Sequence, residues 1–503
     1  MNSFRITHDG RIGRALTLAA SLALALTLGT ARRADAVACS TSICTSTGTN
    51  TCSIANTTLD SGCPGVGPCV LDWGSSMDVT ISGTLNADAL ACDLTLAANS
   101  FTVSGTIRKQ TGTTIVNTSG AGEFFSTTGS GGVDARKNGS FTVNSGGTCT
   151  HGGGDITAAG QSPICSGGFV WLNCGALSIT KGINADGACG GDDSGDGGTL
   201  WFTASTGSAS FSGNGNVTAN ASGSETFGGW IDIDVATTLS QGKTMQAKGG
   251  NDGSGGEISM VAGGATTSSG ALNVVAAGGY GVGGTVSIGG TLVTVSGAIS
   301  DNGGYSGGSV GVYGTQDISV TGNIDSSGGG GGPGGYVTIW GDEDSTIDGT
   351  VNVGSGGTYA TGGAIDFIAG NNHTLAIEKV LTTTVSAGGD ANGSIDFDAC
   401  NIVIHNDLRS RNVAVAGGQG GGTNWLRYKG TFTQTSGDSI LADDPALANC
   451  AAPVISGNRI DCRCPDANAD LVCDSATCVS APTLSGTVTP TALICPMVLP
   501  ACG

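Results

Sequence analysis

Beyond residue 36 this chain of 503 residues has no uninterrupted apolar run approaching 18 residues, so nothing there reads as a transmembrane helix. Basic side chains are scarce, with 19 Lys and Arg against 39 Asp and Glu and a net charge of −20. Such a surface repels phosphate backbones, which argues against nucleic acid as a partner. Only four histidines occur, His8, His151, His373 and His405, and their scatter argues against a His-based metal or triad site. No apolar period of 3.6 residues competes anywhere after residue 36, which excludes a helical architecture. The glycine-rich stretch Gly328 to Gly335 has no Walker-type Lys-Ser/Thr after it, so it does not read as a phosphate cradle. Cysteine is missing from Gly190 to Ala399. Nor is there room at the C-terminal end for the alternating strands of an outer-membrane barrel.

What is present begins with Arg11 and Arg14, a compact apolar run from Ala15 to Leu28, and small residues at Ala34, Ala36 and Ala38. That is the pattern of a signal peptide over 1–36, cleaved after Ala36 or Ala38; lipidation of Cys39 is the second reading. The expected location is secreted or cell-surface. Export accounts for the 18 cysteines, since disulfides persist outside the cytosol. Six lie between Cys39 and Cys92, four between Cys149 and Cys189 and eight between Cys400 and Cys502, so disulfide-stapled ends are expected around a cysteine-free body. Removing 1–36 takes away five basic and two acidic side chains, leaving 14 against 37. Cations and neutral glycans suit a mature charge of −23 better than anions do.

High glycine and only 5% aromatics would fit disorder, were the glycines not periodic. A Gly-Gly doublet followed by an alternating apolar segment returns from Gly167 to Leu426. Its second glycines are Gly168, Gly198, Gly229, Gly256, Gly284, Gly308, Gly335, Gly363, Gly393 and Gly422, at gaps of 24 to 31 residues. Asn392 replaces the first glycine once. A fixed period of that size signals stacked repeats, each unable to bury its apolar face alone. Two and four residues after the doublet the side chains are almost all apolar, as in Ile231 and Ile233, Val286 and Ile288, or Ile365 and Phe367. Period two means a strand with one buried face. A second alternating run follows, such as Leu292 to Ile299, and ends in a polar turn such as Ser300-Asp301-Asn302-Gly303-Gly304. Two or three short strands per repeat, joined by turns requiring positive φ, describe one coil of a parallel β-helix. The doublet itself is expected where backbones stack too closely for a Cβ. The expected fold is therefore all-β, a right-handed parallel β-helix (β-solenoid) of twelve to fourteen coils. Its expected divisions are a signal peptide (1–36), a Cys-rich N-terminal cap (37–95), the helix (96–440) and a Cys-rich C-terminal tail (441–503).

The repeats, with Gly362-Gly363-Ala364-Ile365 as the nearest local match, resemble those of bacterial surface β-helix proteins. These include adhesin passengers, polymorphic outer-membrane proteins with Gly-Gly-Ala-Ile repeats, and polysaccharide lyases and hydrolases. The resemblance covers roughly residues 75 to 440 and implies architecture only, since one fold hosts binders and enzymes alike.

Function must come from the outward positions. Three residues after the doublet the side chain points out, giving Trp171, Trp201, Asp232, Ser259, Ser287, Gly311, Thr338, Asp366, Asp396 and Trp425 on successive coils. Outward Trp171, Trp201 and Trp425 suggest platforms for sugar rings, unless loops near Cys174 and Cys189 cover the first two. Asp366, Asp396 and nearby Asp398 are the only acid/base candidates on this face. Neighbouring carboxylates must share a proton, bind a cation or catalyse. Polygalacturonase motifs Gly-His-Gly and Arg-Ile-Lys are absent, and the only bases at hand are Arg427 and Lys429. In the tail, Asp466, Asn468, Asp470 and Asp474 beside Cys473 resemble the calcium loops of thrombospondin type 3 repeats, which implies calcium as a cofactor. Leu471 stands where an EF-hand has glycine, and Thr477 where it has the bidentate Glu. The first functional expectation is a non-catalytic structural or adhesive element that binds extracellular glycan or a neighbouring surface protein. A polysaccharide lyase or glycoside hydrolase is the alternative, and a self-assembling filament subunit a further one.

Overall fold

A computed structural model describes residues 37–38, 43–44, 46–59, 67–137, 139–188, 195–357, 360–385, 393–411, 422–443, 450, 457–467 and 473–502. The chain winds as a parallel β-solenoid of about 13 turns, with no α-helix among the described residues. Each coil carries three strands. Glu257–Ala262, Thr266–Ser268 and Leu272–Asn273 form one coil, and Thr285–Gly290, Val293–Val295 and Ile299–Ser300 stack on them in the next. Three sheets therefore run the length of the molecule. The one built from the strands after the doublets has 17 strands, and that built from the shortest strands has 16. Among the described residues the strands of successive coils pair in parallel, and the one antiparallel strand pair is Ser46–Gly48 with Thr51–Ile54.

Alternation decides which side chains enter the core. Ile231, Ile258, Val286, Val310, Val337, Ile365 and Ile395 stand in line on successive coils, each fully buried. Branched residues suit this pleated, one-sided burial, and each contributes roughly 1.5–3 kcal/mol. One line further along, the Phe367 and Phe397 rings stack at 5.6 Å with 5° between their planes. Near the C-terminal end the isoleucine line turns polar: Asn424 follows Ile395, and Asn458 follows Asn424. The cost of burying them is offset by bonding, since Asn424 Nδ2 donates to Asn458 Oδ1 at 2.7 Å and Asn458 Nδ2 to Pro490 O at 2.7 Å. Leu426 and Tyr428 are buried beside them.

The doublets close the corner between two sheets. From Gly168 to Gly363 the amide of the second glycine donates across the coil to the residue that follows the shortest strand: Gly229 to Ala219 O at 2.7 Å, Gly256 to Ala247 O at 2.7 Å, Gly284 to Val274 O at 2.9 Å. A Cβ on Gly229 would lie 1.9 Å from Gly198 O, and one on Gly256 2.0 Å from Gly229 O. Close stacking of backbones, not a left-handed conformation, is what requires glycine here, because none of the described doublet glycines has positive φ. Positive φ occurs instead in outer turns, as at Gly278 (86°) and Gly331 (108°).

The polar turn after Ile299–Ser300 also differs from expectation. Asp301 points inward, in the line that holds Val274 before it and Ser326 and Val353 after it, and all four are fully buried. Three short strands rather than two place this residue on the core side.

Disulfides gather near the two ends. Cys44–Cys52 lies in the N-terminal part and Cys149–Cys174 follows, while Cys400–Cys502, Cys450–Cys495, Cys462–Cys478 and Cys464–Cys473 tie the C-terminal part. No described cysteine is free. Strands from the cap and tail segments join the same ladders: Thr51–Ile54 stacks on Asp78–Ile81, and Leu493–Met497 on Gly457–Arg463, which stacks on Thr423–Tyr428. Residues 1–36 and Cys39 lie outside the described residues.

Candidate functional site

The outward face of the 17-stranded sheet carries the chemistry. Its central line follows the register read from the sequence, Trp171, Trp201, Asp232, Ser259, Ser287, Gly311, Thr338, Asp366, Asp396 and Trp425, each paired with the next. Two further outward lines flank it, one and five residues after each doublet. They bring in Trp230 and Tyr336 on one side and Tyr313 and Trp340 on the other. The sequence reading, confined to the middle line, missed all four. Aromatic residues at those two offsets were the available signal.

Trp201 touches both Phe169 and Trp171 edge-to-face, at 5.4 and 5.9 Å, and keeps part of its surface in solvent. Trp171 is half-buried, with Nε1 donating to Thr203 Oγ1 at 3.4 Å. Cys174 points into the core and covers neither tryptophan; Cys189 lies outside the described residues. On the next coil Trp230 is 57% exposed. Four coils beyond Trp201, the Tyr313 ring lies across Gly311: a Cβ there would sit 2.6 Å from the ring and from its hydroxyl oxygen. Gly311 thus leaves room for the phenol over the central line, where it remains 44% exposed. Tyr336 and Trp340 stand on the following strand.

Tyr336 leads into the acidic group, its hydroxyl donating to Asp366 Oδ2 at 3.3 Å. Asp366 and Asp396 are register partners on adjacent strands, and Asp398 lies two residues further along the same strand. Burial raises the Asp366 carboxyl above its ordinary value, opposed by the Tyr336 hydrogen bond and the Arg427 charge. Burial, opposed by Arg427 and reinforced by Asp366, pushes Asp396 up to about 7. The cation these acids call for comes from the chain itself. Arg427 Nη2 is 3.0 Å from Asp396 Oδ1, Arg427 Nε 3.8 Å from Asp398 Oδ2, and Lys429 Nζ 3.1 Å from Asp398 Oδ1.

Trp425 closes the row. Arg427 and Arg459 lie over its ring at 4.5 and 5.7 Å, and its Nε1 donates to Asp461 Oδ2 at 2.7 Å. Asp461 is in turn held by Arg459 Nε at 2.6 Å. The arrangement makes Trp425 part of a cation–π and ion-pair network that secures the final coils. Its ring is already engaged by the chain, whereas Trp230 is 57% exposed.

No family model, curated protein or solved structure matches this chain. The architecture is therefore what these residues themselves show, and the resemblance to bacterial surface proteins goes no further than the solenoid.

In the tail, Asp474 Oδ2 accepts from Ala467 N at 2.6 Å, closing the loop spanned by Cys464–Cys473. Asp466 is described as well, whereas Asn468 and Asp470 lie outside the described residues. Among the described residues no three His, Cys, Asp or Glu side chains gather as a metal site.

Proposed function

We propose that this chain is an extracellular, non-catalytic β-solenoid that binds neutral glycan on the outer face of its 17-stranded sheet, as an adhesive or structural surface element. The observation that carries this reading is the Tyr313 ring laid over Gly311, half-exposed and beside Tyr336 and Trp340. A flat aromatic face offers apolar contact to a sugar ring, and the Tyr hydroxyls and the half-buried carboxylates offer hydrogen bonds to its edges. Disulfides throughout the described cysteines support an oxidising, extracellular setting, and with it the signal-peptide reading of 1–36. Calcium in the loop around Asp466, Asn468, Asp470 and Asp474 belongs to the same proposal, as a stabiliser of the C-terminal end.

A glycan array probed with the purified chain tests the reading. Binding to neutral glycans is expected, with loss of about tenfold or more in Gly311→Val, since a side chain at 311 lifts the Tyr313 ring off the sheet. No neutral glycan bound, or equal binding by the variant, would refute it.

A second reading rests on Asp396. A carboxyl raised to about 7 by burial, beside a second carboxylate, is the arrangement of a glycoside hydrolase. It requires new reducing ends to appear from a bound polysaccharide, and Asp396→Asn to abolish them while binding persists. The Arg427 and Lys429 pairs favour the non-catalytic role, because they hold the same carboxylates in a fixed network.

A further inference from the structure

We infer that the ligand is an extended neutral polysaccharide lying parallel to the solenoid axis, held at once by the aromatic groups at the two ends of a line of small residues on this face. The inference rests on the glycan reading above and adds the ligand's length, direction and charge. Between those groups the central line runs from Ser259 through Ser287 and Gly311 to Thr338, small residues on four successive coils, with the Tyr313 ring lying across it at Gly311. Glu257, Thr285 and Ser309 flank this line on one side and Val261, Gly289 and Tyr313 on the other, each at least partly exposed.

Trp201 and Trp230 mark one end of this line, and Tyr336 and Trp340 the other. Asp232 and Thr338, central residues of the two limiting strands, are four strand spacings apart, roughly 19 Å at ~4.8 Å each. The groups are displaced along the axis and not across the strands, so one ligand reaching both must run along the axis. Parallel ladders fix that separation, which makes the second contact intramolecular once the first has formed. Charge selects among polysaccharides. Asp232, Asp234 and Glu257 at one end and a net charge of −20 oppose a polyanion.

The test is electrophoresis of the chain through gels holding soluble β-1,4-linked glucan, xylan or mannan. Calorimetry then follows with the di-, tri- and octasaccharide of whichever polymer retards it. Affinity should stay flat from di- to trisaccharide and rise about a hundredfold at the octasaccharide, which alone spans both ends. Trp230→Ala and Trp340→Ala should each return the octasaccharide to the disaccharide's affinity, with thermal midpoints recorded to confirm folding. The length series uses the unaltered chain and stands whether or not the variants fold. An octasaccharide no tighter than the disaccharide, or loss at only one end, would overturn the bridging while leaving glycan binding intact. No retardation by any neutral polymer would instead remove the glycan reading itself.

Discussion

Replacing Asp301 by Asn should stabilise this protein at alkaline pH. Asp301 is fully buried in a line otherwise held by Val274, Ser326 and Val353, and its Oδ1 has no hydrogen-bond partner. Its Oδ2 lies 2.8 Å from Ser326 Oγ, which is also 3.0 Å from Gly308 O. Ser326 has one proton, so it can satisfy only one of these acceptors. A protonated Asp301 resolves the conflict, donating to Ser326 while Ser326 donates to Gly308. Burial accordingly pushes Asp301 from 3.8 up to about 8. Below about pH 4 folded and unfolded chains both hold the proton, and the contribution to stability is complete. Between about 4 and 8 the unfolded chain ionises while the folded one does not, so stability falls with each unit, and above about 8 it levels off. At 1.36 kcal/mol per pH unit the loss is on the order of 5 kcal/mol, an upper figure because water entry and local relaxation would reduce it. An Asn amide can donate to Ser326 as the protonated acid does, and it never ionises. Thermal midpoints of parent and Asp301→Asn chains should therefore coincide near pH 4 and separate steadily towards pH 9, with the variant higher. Other titrating groups are common to both proteins and cancel in the comparison. Parallel midpoint curves across the whole range would show that Asp301 is not held neutral, and would refute the argument.

Three further outcomes are expected. Ile365→Asp should cost several kcal/mol by burying an unpaired charge between coils, whereas Asp366→Ala, on the outer face, should change stability by about 1 kcal/mol or less; similar unfolding midpoints for the two would contradict the inward and outward assignment. Thiol titration of the denatured, unreduced chain should find almost no free thiol, and reduction should speed proteolysis of the ends before the body from 190 to 399, which has no cysteine. Calorimetry should detect calcium at roughly 10⁻⁴ to 10⁻³ M in the full chain and not in Asp470→Ala; identical heats would leave the segment as an acidic, disulfide-tied turn.

Local rules were legible in the amino-acid order alone. The doublet spacing marked the coils, period-two alternation told Ile365 from Asp366, and the cysteine groups marked the ends, because each depends only on near neighbours along the chain. The sequence also named the central outward line correctly, since one repeat length carries a residue to its stacked partner. Tertiary structure decided what those neighbours do to each other. Tyr336 reaches Asp366 from 30 residues away, and Arg427 reaches Asp396 from 31, through stacking whose exact side-chain contacts no local pattern states. Whether an outward tryptophan is exposed, as Trp230 is, or engaged by two arginines, as Trp425 is, depends on what the next coil carries. Asp301 makes the same point from inside: its polar, glycine-rich setting reads as a turn, and only the third strand of the coil turns its carboxyl into the core. Sequence fixes the period and the alternation because these are properties of one strand, while burial and charge belong to the stack.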